Sequence, residues 1–253
     1  MTEQDKIHMW DRFDKIVCIH YLPYKNERFK NIATELKRVG ILNNPKFEWE
    51  FTVPNVFNDM IRFPKGRIGR FFNVYEKPYA IQYYVMMKRL LMMGYEKVLV
   101  LEDDVAFLKD LGEISRILDA TPSDWDIMNY SPRRRKGWLG NGKGFWGHYY
   151  DLKGNEVKKD WDEDLFVRYQ SIVYGTVCNA YTKRAMQRYV ENSEKCLLNA
   201  DGYTWKDTEG LNTYCTSFGT CLAISIPYGK SMGGANAVNE QWRGIDASKY
   251  NLT

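Results

Sequence analysis

The run Lys97-Val98-Leu99-Val100-Leu101 constrains the fold more than any other segment. It is unbroken, rich in β-branched residues and leucine, and only a few residues long, which is the pattern of a strand buried on both faces of a parallel sheet. A helical pattern over residues 76–93 leads into it, opened by Pro78 near the first turn and closed by Gly94. The run then ends abruptly in Glu102-Asp103-Asp104. Helix, buried strand and acidic strand end make one unit, and alternation of such units defines an α/β sheet.

The remainder of the chain fits the same grammar. Lys15-Ile16-Val17-Cys18-Ile19-His20 reads as a first strand, with turn-forming Pro23-Tyr24-Lys25-Asn26 behind it. Phe29, Ile32, Leu36 and Val39 then fall at helical spacing from about Glu27, and Gly40 stands where a C-terminal cap belongs. A second strand is expected over 47–53, a helix over 108–118, strands over 124–130 and 172–181, a helix over 183–194 and a last strand over 221–226. The connection 57–72 carries no readable pattern. Residues 131–164, with Gly137, Gly140, Gly142, Gly144 and Gly147 among basic and aromatic residues, read as a long mobile loop or lid. A length of 253 residues suits one domain spanning the whole chain.

Composition removes several classes. The first fifteen residues are charged and lack the apolar core of a signal peptide, and no apolar run reaches the roughly 18 residues of a membrane span. Five cysteines without a CxxC pair indicate neither a disulfide framework nor a cysteine zinc site, so reduced thiols in a cytoplasmic setting are expected. No HxxxH or His/Cys cluster supports zinc hydrolysis. The formal charge of +4 is too small to choose a partner, whereas 15% aromatic residues suits the gripping of sugars or bases, and equally a tyrosine-rich core.

Three consecutive carboxylates repel one another, and a divalent cation relieves that repulsion. Oxygen ligands suit Mg²⁺ or Mn²⁺, and such an ion completes its shell with phosphate oxygens. The carboxyl end of a strand is also where open α/β sheets gather ligands. By spacing alone, a solvated acidic turn or an N-cap accounts for the triplet as well.

The segment 88–105, KRLLMMGYEKVLVLEDDV, resembles the LEDDV block of glycosyltransferase family 25, which includes lipooligosaccharide and procollagen galactosyltransferases. Weaker matches run discontinuously over most of the chain: the first strand with Arg28 downstream, Asp124-Trp125-Asp126, the stretch 174–189, and Asp201 in Asn199-Ala200-Asp201-Gly202. The resemblance implies a single GT-A-type, Rossmann-like domain with a mostly parallel central sheet flanked by helices. It also implies metal-dependent, inverting transfer from a nucleotide-sugar, a UDP-sugar by family habit, to a hydroxyl of a glycan or glycoconjugate.

In that reading Asp104 holds the metal, Asp103 contacts the nucleotide, Glu102 orients both, and His20 and Arg28 belong to the donor site. Asp201 is the base that removes the acceptor proton. Asp162, Glu163 and Asp164 are rivals for that role and also read as a solvated charge cluster. Asp126 lies within its strand, so Asp124 and Asp126 are expected to serve structure rather than metal. The chain departs from the family in two places. Pro78-Tyr79-Ala80-Ile81-Gln82-Tyr83 stands where members carry Gly-Cys-x-x-Ser-His, and His20 stands where they carry Asn in the first-strand motif.

Arg133, Arg134, Arg135 and Trp138, followed by further cations and rings, interleave charge with stacking surface. They form the expected acceptor region, suited to an anionic glycan or to DNA bearing hydroxylated bases. A solvated loop reads equally well from composition. A glycan transferase, a DNA-modifying transferase and a non-catalytic binding module therefore all stand as readings of the sequence.

Overall fold

A computed structural model of the chain describes residues 2–21, 27–52, 76–132, 148–157, 164–170, 177–195, 208–217 and 220–225. In chain order its elements are α1 (Glu3–His8), β1 (Lys15–Tyr21), α2 (Glu27–Arg38), β2 (Phe47–Thr52), α3 (Glu76–Met92), β3 (Lys97–Glu102), β4 (Val105–Phe107) and α4 (Leu111–Asp119). There follow β5 (Ile127–Asn129), β6 (His148–Tyr150), β7 (Glu156–Val157), β8 (Phe166–Gln170), β9 (Cys178–Thr182), α5 (Lys183–Lys195), β10 (Thr213–Thr216) and β11 (Ala223–Ser225). Among the described residues, no helix is long and apolar enough to cross a membrane. The described cysteines are free thiols, with Cys18, Cys178 and Cys215 buried.

Among the described residues, nine strands make one sheet in the order β2-β1-β3-β9-β5-β10-β8-β6-β7, and β4 pairs with β11 beside it. β1 lies parallel to β2 on one side and to β3 on the other. The chain therefore leaves β1 through α2 to reach β2, then returns through α3 to β3 on the far side of β1. Right-handed crossovers in opposite directions place α2 and α3 on opposite faces, and the packing shows it. Ile16, Cys18, Leu99 and Leu101 pack with Ile32 and Leu36 of α2 and with Ile114, Ile117 and Leu118 of α4. Val17, Ile19, Val98 and Val100 pack with Ile81, Tyr83, Met87 and Leu90 of α3 and with Met186 and Tyr189 of α5. Strand alternation divides each central strand between the two cores, which is why these strands read as continuous apolar runs.

The sheet is mixed rather than mostly parallel. Among the described strands only β1–β2, β1–β3 and β5–β10 are parallel pairs, because β9 enters between β3 and β5 in the opposite direction and β8, β6 and β7 extend the sheet as antiparallel neighbours. A buried apolar strand looks the same in sequence whichever way it runs, so direction was not legible. The expected loop over 131–164 is likewise broken by the β6–β7 hairpin. Asp151 builds its turn, accepting from Lys153 N at 2.9 Å and Asn155 N at 2.8 Å. Residues 133–147 and 158–163 of that segment lie outside the described residues.

Local chemistry sets the helix ends. Asp110 caps α4, its side chain accepting from Glu113 N at 2.8 Å, which starts the helix three residues later than the periodicity suggested. Residues Val105–Phe107, ahead of that cap, are taken by the β4–β11 pair. On edge strand β2 the alternation is aromatic against acidic. Phe47 and Trp49 pack on the α2 side, while Glu48 and Glu50 bond Lys15, Arg89 and Gln82 on the α3 side.

Candidate functional site

The chain reverses its direction of travel across the sheet between β1 and β3, and the carboxyl ends of parallel strands at such a point are where open α/β sheets gather ligands. Ile19 pairs with Glu102 in register, which sets His20 beside Asp103. The alternation that fills both cores continues into the acidic triplet and divides it. Glu102 follows the parity of Val98 and Val100 toward the α3 face, where its Oε1 accepts from Tyr79 Oη at 2.7 Å. Asp103 follows Leu99 and Leu101 toward the α2 face.

There both Asp103 oxygens are engaged. His20 Nδ1 meets Oδ2 at 2.9 Å, and Arg28 Nη1 donates to Oδ1 at 3.0 Å. A carboxylate only accepts, so this contact places the imidazole proton on Nδ1. The side chains of Asp103, His20 and Arg28 are 7%, 1% and 14% exposed, so the pairing is shielded from water and stronger than a surface ion pair. Rings enclose the imidazole on its other sides: Phe29 at 5.4 Å, Phe51 at 6.0 Å and Trp49 at 6.3 Å between centroids. His20 thus acts on the β3 end through Asp103. Beneath it, burial pushes the Cys18 thiol well up, and the charges of Asp103, Asp104 and Glu102 push it further. Cys18 stays a neutral thiol and is no nucleophile.

Asp104 follows in the turn between β3 and β4 and is half-buried. The triplet is therefore not a three-carboxylate cage, and no group of three or more His, Cys, Asp or Glu suited to a metal occurs among the described residues. The repulsion expected to call for a divalent ion is relieved at Asp103 by the Arg28 guanidinium instead. Glu102 and Asp104 stand beside Asp103 with oxygen donors, the ligand class that a hard cation takes.

Asp124 and Asp126 lie just ahead of β5 rather than within it, and both serve structure through their hydrogen bonds. Asp126 accepts from Arg184 Nη1 at 3.0 Å and from Asn212 N at 2.8 Å, and Asp124 accepts from Tyr214 Oη at 3.0 Å. Asp201, Arg133, Arg134, Arg135 and Trp138 lie outside the described residues, as do Asp162 and Glu163. Two contributors escaped the sequence reading. Tyr79 was noted only as a departure from a family pattern. The rings around His20 were signalled by the alternation Phe47-Glu48-Trp49-Glu50-Phe51. A separate cavity of about 340 Å³, lined by Tyr150, Arg168, Tyr169, Thr208, Glu209 and Thr213, lies near the amino end of β10, away from the triplet.

No protein-family profile matches the chain, and no curated protein matches it. Among solved structures, a protein from STIV is similar over 85% of this chain and 86% of its own, with 11% identity and a TM-score of 0.41. A glycosyltransferase involved in the glycosylation of the major capsid of PBCV-1 is similar over 90% of this chain and 98% of its own, with 8% identity and a TM-score of 0.41. Mannose-1-phosphate geranyltransferase from Thermus thermophilus is similar over 80% of this chain and 73% of its own, with 12% identity and a TM-score of 0.36. Likeness this distant identifies neither a family nor an activity.

Proposed function

We propose that the chain is a glycosyltransferase that takes a sugar from a nucleotide-sugar, a UDP-sugar first among candidates, and passes it to a hydroxyl of a glycan or glycoconjugate. The observation that carries this reading is the acidic end of β3 at the sheet's reversal point, with one carboxylate locked by Arg28 and His20 and two more beside it. The resemblance of the LEDDV block supports it from the sequence side. In this reading Glu102, Asp103, Arg28 and His20 build the nucleotide wall, and Asp104 holds Mn²⁺ or Mg²⁺. When bound, that ion stabilises negative charge on the departing diphosphate. Asp201 removes the proton of the acceptor hydroxyl as its oxygen bonds to the anomeric carbon and the bond to the diphosphate breaks. Arg133, Arg134, Arg135 and Trp138 meet the acceptor.

The test is hydrolysis and binding of a panel of nucleotide-sugars, with and without Mn²⁺, comparing the native chain with Asp104→Ala. Slow donor hydrolysis needs no acceptor, so the experiment requires no guess about one. Turnover of one donor is expected, dependent on metal and reduced on the order of a thousand-fold in the variant, about 4 kcal/mol of transition-state stabilisation. Adding glycans or DNA with hydroxylated bases then separates the two acceptor classes. Binding without turnover points to a non-catalytic sugar-nucleotide module, and neither binding nor turnover in a folded chain sinks the assignment.

A further inference from the structure

Tyr79 stands in the first turns of α3 and gives its hydroxyl to Glu102 Oε1 at 2.7 Å. Its ring is braced from below. It lies 6.0 Å from the ring of Tyr83, which is fully buried. Tyr83 in turn donates to Tyr181 Oη at 2.8 Å, which also accepts from Asn179 Nδ2 at 3.1 Å, and packs on Tyr189 at 5.5 Å. The phenol is therefore a fixed donor on a short, stiff side chain, whereas glutamate left to itself samples many rotamers. The backbone of Glu102 is pinned as well, its N–H donating to Val177 O at 3.1 Å. A carboxylate has about four acceptor sites, so a bond from Tyr79 orients the group without exhausting it.

We infer that Tyr79 is a positioning residue that aims the Glu102 carboxylate at a hydroxyl of the bound ligand, and so sets the affinity of the site for hydroxyl-bearing nucleotides. This rests on the nucleotide-sugar reading above. The effect runs through one oxygen atom. Removing it leaves ring packing intact and lets Glu102 turn away from the ligand.

Calorimetric titration of UDP with Mn²⁺, followed by ADP, GDP and CDP, tests it on the native chain and on Tyr79→Phe, Glu102→Gln, the double variant and Tyr83→Phe. Tyr79→Phe is expected to weaken binding about tenfold, the effect of losing one hydrogen bond to a charged acceptor. Glu102→Gln weakens it at least as much, and the double variant binds no more weakly than Glu102→Gln alone, because Tyr79 acts on the ligand through that carboxylate. Tyr83→Phe loses the buried hydroxyl of the ring that packs on Tyr79, in a hydrogen bond separate from the one to Glu102, and is expected to leave affinity within about twofold of native. Native-like binding by Tyr79→Phe, losses that multiply in the double variant, or an equal loss in Tyr83→Phe each overturns the inference while leaving the nucleotide reading intact. A native chain that binds none of the four nucleotides overturns both.

Discussion

On the α2 side of the β3 end Asp103 is buried, with a guanidinium on one oxygen and an imidazole on the other. On the α3 side Glu102, its immediate neighbour, is half-buried and held by a neutral phenol. The difference follows from strand geometry, since consecutive side chains leave a strand on opposite faces. A carboxylate pressed into the core must find partners there or be lost. One that is only half-buried, as Glu102 is, has less desolvation to offset. A run of acidic residues thus has two differently employed sides, with Asp104 in the turn beyond them.

The sharpest way to break this contrast is to remove each carboxylate in turn. Asp103→Ala leaves Arg28 and His20 facing each other without their shared acceptor, and is expected to cost about 4 kcal/mol of stability. Glu102→Ala is expected to cost less than about 1 kcal/mol. Urea denaturation measures both, and similar costs would mean that the two sides are alike.

The helices on the two sides offer a second comparison. Gly40 ends the turn after α2, which carries Arg28, and Gly94 ends the turn after α3, which carries Tyr79. Their φ values are 79° and 80°. A methyl group on Gly40 would meet Lys6 atoms at 2.5 to 2.8 Å, whereas on Gly94 it meets nothing within 4 Å. Gly94→Ala then reports backbone strain alone, about 1 kcal/mol. Gly40→Ala adds overpacking against α1, for about 3 kcal/mol in all. Thermal melting of the two variants separates these effects.

The smallest effect is acid sensitivity on the α3 side. Burial opposes ionisation of Glu48, yet bonds from Lys15 at 2.8 Å and Arg89 at 2.5 Å outweigh it and hold the carboxyl below its ordinary value of 4.5. The stabilisation this provides is complete above that ordinary value and is lost as pH falls through the lowered one. The urea midpoints of the native chain and Glu48→Gln should differ by a constant amount well above the ordinary value of 4.5 and converge as pH falls through the lowered one. The rings on the other face of β2 carry no such dependence, so a difference that persists into acid would show that the ionic contacts are not what ties α3 to this strand.

Legibility tracked the range of the determining interactions. β1, α2, β2, α3 and β3 were readable because each is set by its own periodicity and caps, with Gly40 and Gly94 marking two of the ends. The β6–β7 hairpin escaped because strands of three and two residues hold too little alternation to stand out, even though Asp151 and Asn155 supply turn chemistry. The mixed sheet escaped because β9 owes its direction to where the chain enters between β3 and β5.

By itself the sequence determined the strand-helix-strand order at the start of the chain and an acidic end to the central strand, since apolar period, cap chemistry and charge are properties of neighbours along the chain. Only the tertiary structure decided what each carboxylate does. The partners of Glu102 and Asp103 lie 23, 75 and 83 residues away, on Tyr79, Arg28 and His20. A side chain's partner across such a distance is chosen by how the sheet and its two helical layers close, not by anything written beside it.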